Sequence, residues 1–280
     1  MASPTNTAPD RFLDVKNERL AYRRLGPDKG TPLVFLQRFR GTMDDWDPAL
    51  IDALAKSRPV VLFDSVGIGR SSGQVPATVD GMADAAADFL TALGGGPVDI
   101  LGWSLGGSVA QVLTLSHPGV VRRLVVAGSS PGYVEGAPAV PDKVWQVAGK
   151  PINEDGDFLY LFFPETEAGV QAGRTHLARL LERNDAFSTP VSIEAVRAQA
   201  AAIAAYGVPD ASLLTALTGL DHPVLVANGY EDVMVPAFKS YAMASQMRRA
   251  KLILYPASGH GFLFQWATEF ARDVVAFLDN

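Results

Sequence analysis

Three side chains of this sequence have the types and spacing for nucleophilic catalysis: Ser104, Asp232 and His260. Ser104 sits in Leu101-Gly102-Trp103-Ser104-Leu105-Gly106-Gly107, a Gly-x-Ser-x-Gly turn. The apolar run 98–101 before it reads as a buried strand, and 108–113 after it as a helix ended by His117-Pro118. A serine on so sharp a strand-to-helix turn is strained and pushes its hydroxyl out of the fold. Residues two positions either way must be small to clear the turn, and Gly102 and Gly106 are. Amide dipoles of a helix starting there point at whatever the serine attacks. Taken alone, the pentapeptide reads equally well as a glycine-rich loop. A serine hydroxyl also needs a base, and an imidazole needs a carboxylate to set its tautomer. Asp232 and His260 follow the apolar runs 223–229 and 250–255 and stand 28 residues apart. That interval leaves room for one helix and one strand between neighbouring loops.

The elements that must position them alternate along the chain. A hairpin is expected over 11–15 and 18–24, then buried strands at 32–36 and 59–64, with a helix at 48–56 between them. A helix over 79–93 carries Met82, Ala86, Phe89, Leu90 and Leu93 on one face. A further strand spans 123–128. From Tyr133 to Pro209 no buried strand is evident, and helices are expected at 142–149, 153–163, 165–183 and 192–206. Strands resume at 223–229 and 250–255, with a helix at 236–246 between them and a last helix at 265–278. The pattern predicts an α/β fold with a doubly wound, mostly parallel sheet. Residues 1–9 are expected as a flexible tail, 10–132 and 210–280 as the core, and 133–209 as an inserted helical cap. In such sheets ligands bind where the strands end.

Composition narrows the function. The 280 residues hold 24 Lys and Arg against 30 Asp and Glu, a net charge of −6. No basic stripe offsets that charge, so a nucleic-acid partner is not expected. With no cysteine, thiolate metal sites and a cysteine nucleophile are excluded. No His/Asp/Glu cluster has metal-ligand spacing, and no cofactor or metal is expected. The N-terminus lacks an apolar signal core and no run is of membrane-spanning length, so a soluble, cytoplasmic protein without a membrane partner is expected. A homodimer is left open.

Four motifs in order carry a family resemblance. They are the Gly102–Gly107 elbow, the loop 64–71, the acid loop 229–236 and the histidine loop Ser258-Gly259-His260-Gly261. From Phe12 to the C-terminus the chain resembles the α/β-hydrolase fold superfamily. The resemblance implies Ser104 as nucleophile, His260 as general base and acid, and Asp232 as the orienting carboxylate. Asp232 lies four before the loop proline, the position used by similar proteins; Glu231, Asp221 and Glu135 are the other acids weighed. His117, His176 and His222 are read as structural or surface histidines.

An acyl-transfer serine needs oxyanion donors. The Leu105 N–H is one, and alignment with the family places the Phe39 N–H as the second. The loop 37–41, Gln-Arg-Phe-Arg-Gly, departs from the family's His-Gly pattern and brings Arg38 and Arg40 near the mouth. The expectation is two solvated arginines. The sharper alternative is pairing with a substrate carboxylate, or with Asp44 or Asp64. Trp103, Trp145 and Phe162 join Arg38 as candidate substrate contacts, although Trp103 is expected to point away from the hydroxyl and pack. An apolar pocket would suit a small hydrophobic carboxylic ester or lactone. Cofactor-free haloperoxidase or perhydrolase, carbon–carbon bond or thioester hydrolysis, and ligand sensing are alternatives on the same residues. Epoxide or dehalogenase chemistry is disfavoured, because those relatives carry Asp in place of Ser104.

Overall fold

The structure is a computed structural model that describes residues 3–183 and 190–280. Eight strands form one sheet: β1 (Arg11–Val15), β2 (Glu18–Leu25), β3 (Leu33–Leu36), β4 (Val60–Phe63), β5 (Val98–Trp103), β6 (Val121–Ala127), β7 (Val224–Gly229) and β8 (Ala250–Tyr255). Their spatial order is β1-β2-β4-β3-β5-β6-β7-β8. The first two strands are an antiparallel hairpin, and β2 pairs antiparallel with β4; β3 to β8 are mutually parallel.

Every residue of β3, β4, β5 and β7 is buried, as a strand covered on both faces requires. The pleat sends alternate residues to two cores. Leu33, Phe35, Leu101, Val125 and Leu225 face one, with the helices Pro48–Ala55 and Ala267–Asp279. Val34, Leu36, Ile100, Val126 and Val226 face the other, with Val79–Leu93, Leu105–Ser116 and Ala237–Gln246. This is the doubly wound α/β fold expected. The register pairs Leu36 with Gly102, Trp103 with Ala127, Ala127 with Ala227 and Gly229 with Tyr255. The strand ends therefore align, and the loops that carry Ser104, Asp232 and His260 leave the sheet along one rim.

Between β6 and β7 lie the helices Asp142–Ala148, Asp155–Phe162, Glu167–Leu180 and Ile193–Tyr206, then a short unanticipated one at Ser212–Ala216. A buried polar knot joins them to the core. Asp47 caps the helix Pro48–Ala55 by accepting from Ala49 N at 2.8 Å. It also meets His176 Nδ1 at 2.7 Å and Arg179 Nε at 2.7 Å. Burial pushes the Asp47 carboxyl up, but the bonds from His176 and Arg179 outweigh it and hold the group below its ordinary value. His176, stacked on Phe264 at 4.2 Å, is a structural histidine.

Two segments differ from expectation. Residues 3–8 are docked rather than a flexible tail. Pro4–Thr7 is helical, Thr5 N and Oγ1 bond Asp52 at 2.9 and 2.6 Å, and Arg183 donates to the carbonyls of Thr5, Asn6 and Ala8. The partners lie far away in sequence, so local composition hides them. The last helix is divided at Trp266 into Phe262–Gln265 and Ala267–Asp279.

Candidate active site

Ser104 stands between β5 and the helix Leu105–Ser116 with φ 57° and ψ −122°. A positive φ is costly for a non-glycine residue and survives only where its surroundings enforce it. Here they do. Ser104 N donates to Ala127 O at 3.0 Å, and the Ser104 carbonyl accepts from Ser129 Oγ at 2.7 Å. The two glycines leave no room for a side chain. A Cβ on Gly102 would lie 2.3 Å from Gly106 O, and one on Gly106 would lie 2.1 Å from Leu36 O. The second contact is with β3 rather than across the turn, so the elbow is wedged against the neighbouring strand.

His260 and Asp232 are brought together. His260 Nδ1 lies 2.7 Å from Asp232 Oδ2. The other carboxylate oxygen accepts from the Met234 and Val235 amides, each at 2.8 Å. Both residues are buried, whereas Glu231, Asp221 and Glu135 are exposed. With Nδ1 held by the carboxylate, His260 Nε2 is buried and, among the described residues, has no hydrogen-bond partner. Gly128, at the end of β6, has φ 51°; a Cβ there would crowd His260 Nδ1 and Trp103 Nε1, both at 3.3 Å.

Two cavities meet at Ser104. The first, about 430 Å³, is bordered by His260, Arg38, Phe158 and Phe162. The second, about 600 Å³, is bordered by Leu105, Ser129, Trp145, Ile203, Tyr206 and Lys239. Phe39, Ala148 and Met234 border both. Phe39 and Leu105, the expected oxyanion donors, thus both lie beside Ser104. The first N–H groups of a helix have no intrahelical acceptor, which leaves the Leu105 amide open to a ligand.

Both arginines of the 37–41 loop are engaged by the protein, Arg38 buried and Arg40 partly exposed. Arg38 is 9% exposed, donates to Asp45 Oδ1 at 3.0 Å and to Phe39 O at 2.8 Å, and faces the Phe162 ring at 5.4 Å. Its acid is Asp45 rather than Asp44 or Asp64; Asp44 is taken by Arg23, and Asp64 by the Met43 and Arg70 amides. Arg40, at φ 58°, donates to the carbonyls of Lys150 (2.7 Å) and Pro151 (2.8 Å), beyond the helix Asp142–Ala148. Its amide donates to Gln199 Oε1 at 2.9 Å. The loop is thus pinned to the inserted helices. Local sequence could not show this, because the acceptors, two backbone carbonyls and the Gln199 side chain, are more than a hundred residues away.

Trp103 is not a substrate contact. It is fully buried, borders neither cavity, and donates from Nε1 to His260 O at 3.1 Å. Trp145 and Phe162 do border the site, one in each cavity. Sequence reasoning missed Ser129, Met234, Ile203, Tyr206 and Lys239; only the position of Met234 and Lys239, just around the acid-loop proline, hinted at them. Among the described residues no group of His, Asp and Glu could hold a metal, and no helix is long and apolar enough to cross a membrane.

An aligned rim on a doubly wound sheet, a serine at positive φ on a strand-to-helix turn, and a histidine bonded to a carboxylate define the class. Residues 31–265 match the family model of the alpha/beta hydrolase fold. The chain belongs to that family and is an enzyme of the hydrolase class. It is similar to the 2-hydroxymuconate semialdehyde hydrolase of Pseudomonas sp. (strain CF600), at 33% identity over 80% of this chain and 78% of that one. It is 27% identical to the non-heme chloroperoxidase of Streptomyces lividans, over 92% of this chain and 95% of that one. Among solved structures, an alpha/beta hydrolase fold protein from Chitinophaga pinensis superposes with a TM-score of 0.91 at 35% identity, covering 99% of both chains.

Proposed function

We propose that the protein hydrolyses a small, hydrophobic carboxylic ester or lactone through an acyl-enzyme on Ser104. The observation that carries this reading is the pairing of His260 Nδ1 with Asp232, which turns Nε2 into the free base of a site shared with Ser104. His260 Nε2 takes the Ser104 proton as Oγ attacks the carbonyl carbon. Negative charge builds on the carbonyl oxygen, where the Phe39 and Leu105 amides stabilise it. Collapse breaks the bond to the alcohol oxygen, which leaves with the proton from His260. A water, deprotonated by the same nitrogen, attacks the acyl-enzyme; its collapse releases the acid and returns the proton to Ser104. Asp232 keeps His260 in the right tautomer and stabilises its charged form. The apolar walls of both cavities favour a hydrophobic small-molecule substrate. In this reading residues 133–209 are the cap over the core of 10–132 and 210–280.

A short-chain aryl ester tests the proposal. The wild type should hydrolyse it, a fluorophosphonate should label Ser104, and Ser104→Ala should abolish both. Absence of hydrolysis and of labelling in the wild type refutes the reading. A panel of esters, lactones, thioesters and carbon–carbon bond substrates then ranks the chemistries that share these residues.

A further inference from the structure

The two cavities at Ser104 are chemically unequal, and the position of His260 decides which half of a substrate each receives. The imidazole that takes the serine proton must hand it to the leaving oxygen. His260 borders the cavity of about 430 Å³ and not its neighbour, so the leaving alcohol belongs there. The acyl group is left with the cavity of about 600 Å³.

That second cavity is walled by Val140, Trp145 and Ile203, and two of its hydroxyls donate to protein acceptors. Ser129 Oγ donates to the Ser104 carbonyl at 2.7 Å, and the Tyr206 hydroxyl donates to Ser130 O at 3.2 Å. Lys239 is the charged residue among its lining side chains. Its Nζ donates to Gly132 O at 3.1 Å, and both residues line the cavity. An ammonium has three N–H groups, so one such bond leaves donors unused. Among the described residues no carboxylate pairs with Lys239. Burial holds its pKa below the ordinary value, which marks a partly desolvated cation.

We infer that the larger cavity takes the acyl group and that Lys239 binds a carboxylate at the far end of it, so the substrate is a half ester of a dicarboxylic acid. The inference rests on the proposed hydrolase reading and specifies its substrate class. A carboxylate would satisfy the unused donors through charge-assisted hydrogen bonds, which strengthen away from bulk water. An uncharged chain end would leave them facing apolar walls.

The test uses three phenyl esters of matched size with wild type, Lys239→Met and Lys239→Arg. One is phenyl hydrogen glutarate, with the carboxylate on the acyl half. The second is neutral phenyl pentanoate. The third is 4-carboxyphenyl pentanoate, with the carboxylate on the leaving half. In Lys239→Met the kcat/KM ratio of the glutarate to the neutral ester should fall about ten- to a hundredfold, while Lys239→Arg largely retains it. An unchanged ratio overturns the inference. A fall for the 4-carboxyphenyl ester instead reverses the two cavities and overturns it as well. Calorimetry on the Ser104→Ala protein separates this from the hydrolase reading. Phenyl hydrogen glutarate should bind about ten- to a hundredfold more weakly once Lys239→Met is added, whether or not the wild type turns over any ester. Equal affinity there overturns the carboxylate site and leaves the hydrolase reading to its own assay.

Discussion

Trp103 Nε1 donates to the carbonyl of His260 at 3.1 Å, and the two rings lie 5.5 Å apart. The residue before the elbow serine thus holds the backbone of the histidine loop, which ties the height of His260 to the position of Ser104. Trp103→Phe removes this donor and, because the smaller ring leaves a void among Trp46, Phe162 and Phe264, also loosens the packing. A buried carbonyl left without a partner should cost about 1–3 kcal/mol, read as a lower melting temperature. Displacement of the imidazole should lower kcat about 10- to 100-fold with little change in KM. A kcat equal to wild type would mean that the His260 loop is positioned without Trp103.

Ser104 is held at φ 57°, where glycine is at ease and serine is not. Ser104→Gly should abolish ester turnover and stabilise the fold by about 1 kcal/mol, raising the melting temperature by about 2–4 °C. Ser104→Ala, still with a Cβ, should lose turnover without that gain. The contrast between the two in a thermal melt separates backbone strain from loss of the hydroxyl.

Asp232 accepts three hydrogen bonds, two from the Met234 and Val235 amides and one from His260. In Asp232→Asn the loop bonds survive through the amide oxygen, and the side-chain NH₂ then meets His260. The imidazole is pushed toward the tautomer with a proton on Nε2, the wrong atom for a base. Under the proposed mechanism kcat for an aryl ester should drop about ten-thousandfold, with a melting temperature close to wild type. A modest loss would shift the orienting role to another acid.

The buried Asp64 carboxyl should leave a signature in stability against pH. Burial raises it from 3.8 to about 6, against the pull of the Arg70 and Met43 amides. Its folded form holds a proton more tightly than its unfolded form. Stability is therefore lost as pH rises from about 4 to about 6, and the loss amounts to about 3 kcal/mol. Asp47 has the opposite sign: its contribution is present above 3.8 and is lost as pH falls through its lowered folded value, outside this window. Denaturant titrations between pH 4 and 7 should show a decline in the wild type that is shallower in Asp64→Asn, with the buried Asp99 carboxyl, also raised by burial, keeping a slope of the same sign. The same slope in both proteins would assign the effect to other groups.

Much of the architecture was legible in the sequence because its signals are local. A strand covered on both faces reads as an unbroken apolar run, and β3, β4 and β7 lie where such runs predict them. The elbow was legible because glycines flank the serine at fixed spacing: Gly102 is forced across the turn by Gly106 O at 2.3 Å, and Gly106 by Leu36 O of β3 at 2.1 Å. The proximity of Asp232 and His260 followed from their each ending a parallel strand, since parallel register aligns strand ends. The docking of residues 3–8 was not legible, because polar, proline-containing sequence looks the same whether free or tied down by Asp52 and Arg183.

By itself the sequence determined the sheet, its winding and the identity of the three side chains at the rim. Those features show in periodicity and in residue types at short fixed spacings, even where, as at Gly106, the steric demand comes from another strand. Only the tertiary structure decided what surrounds them. It buried Trp103 and gave its N–H to His260, drew Arg38 onto Asp45 and Arg40 onto the carbonyls after Ala148, and set Lys239 in the wall of a cavity it shares with Ser104. Trp103 and Arg40 reach carbonyls more than a hundred residues away, groups that every residue carries, and Arg38 selects Asp45 from the several acids near it. No local pattern encodes that choice; it is made when the loops at the rim and the inserted helices come together in the folded chain.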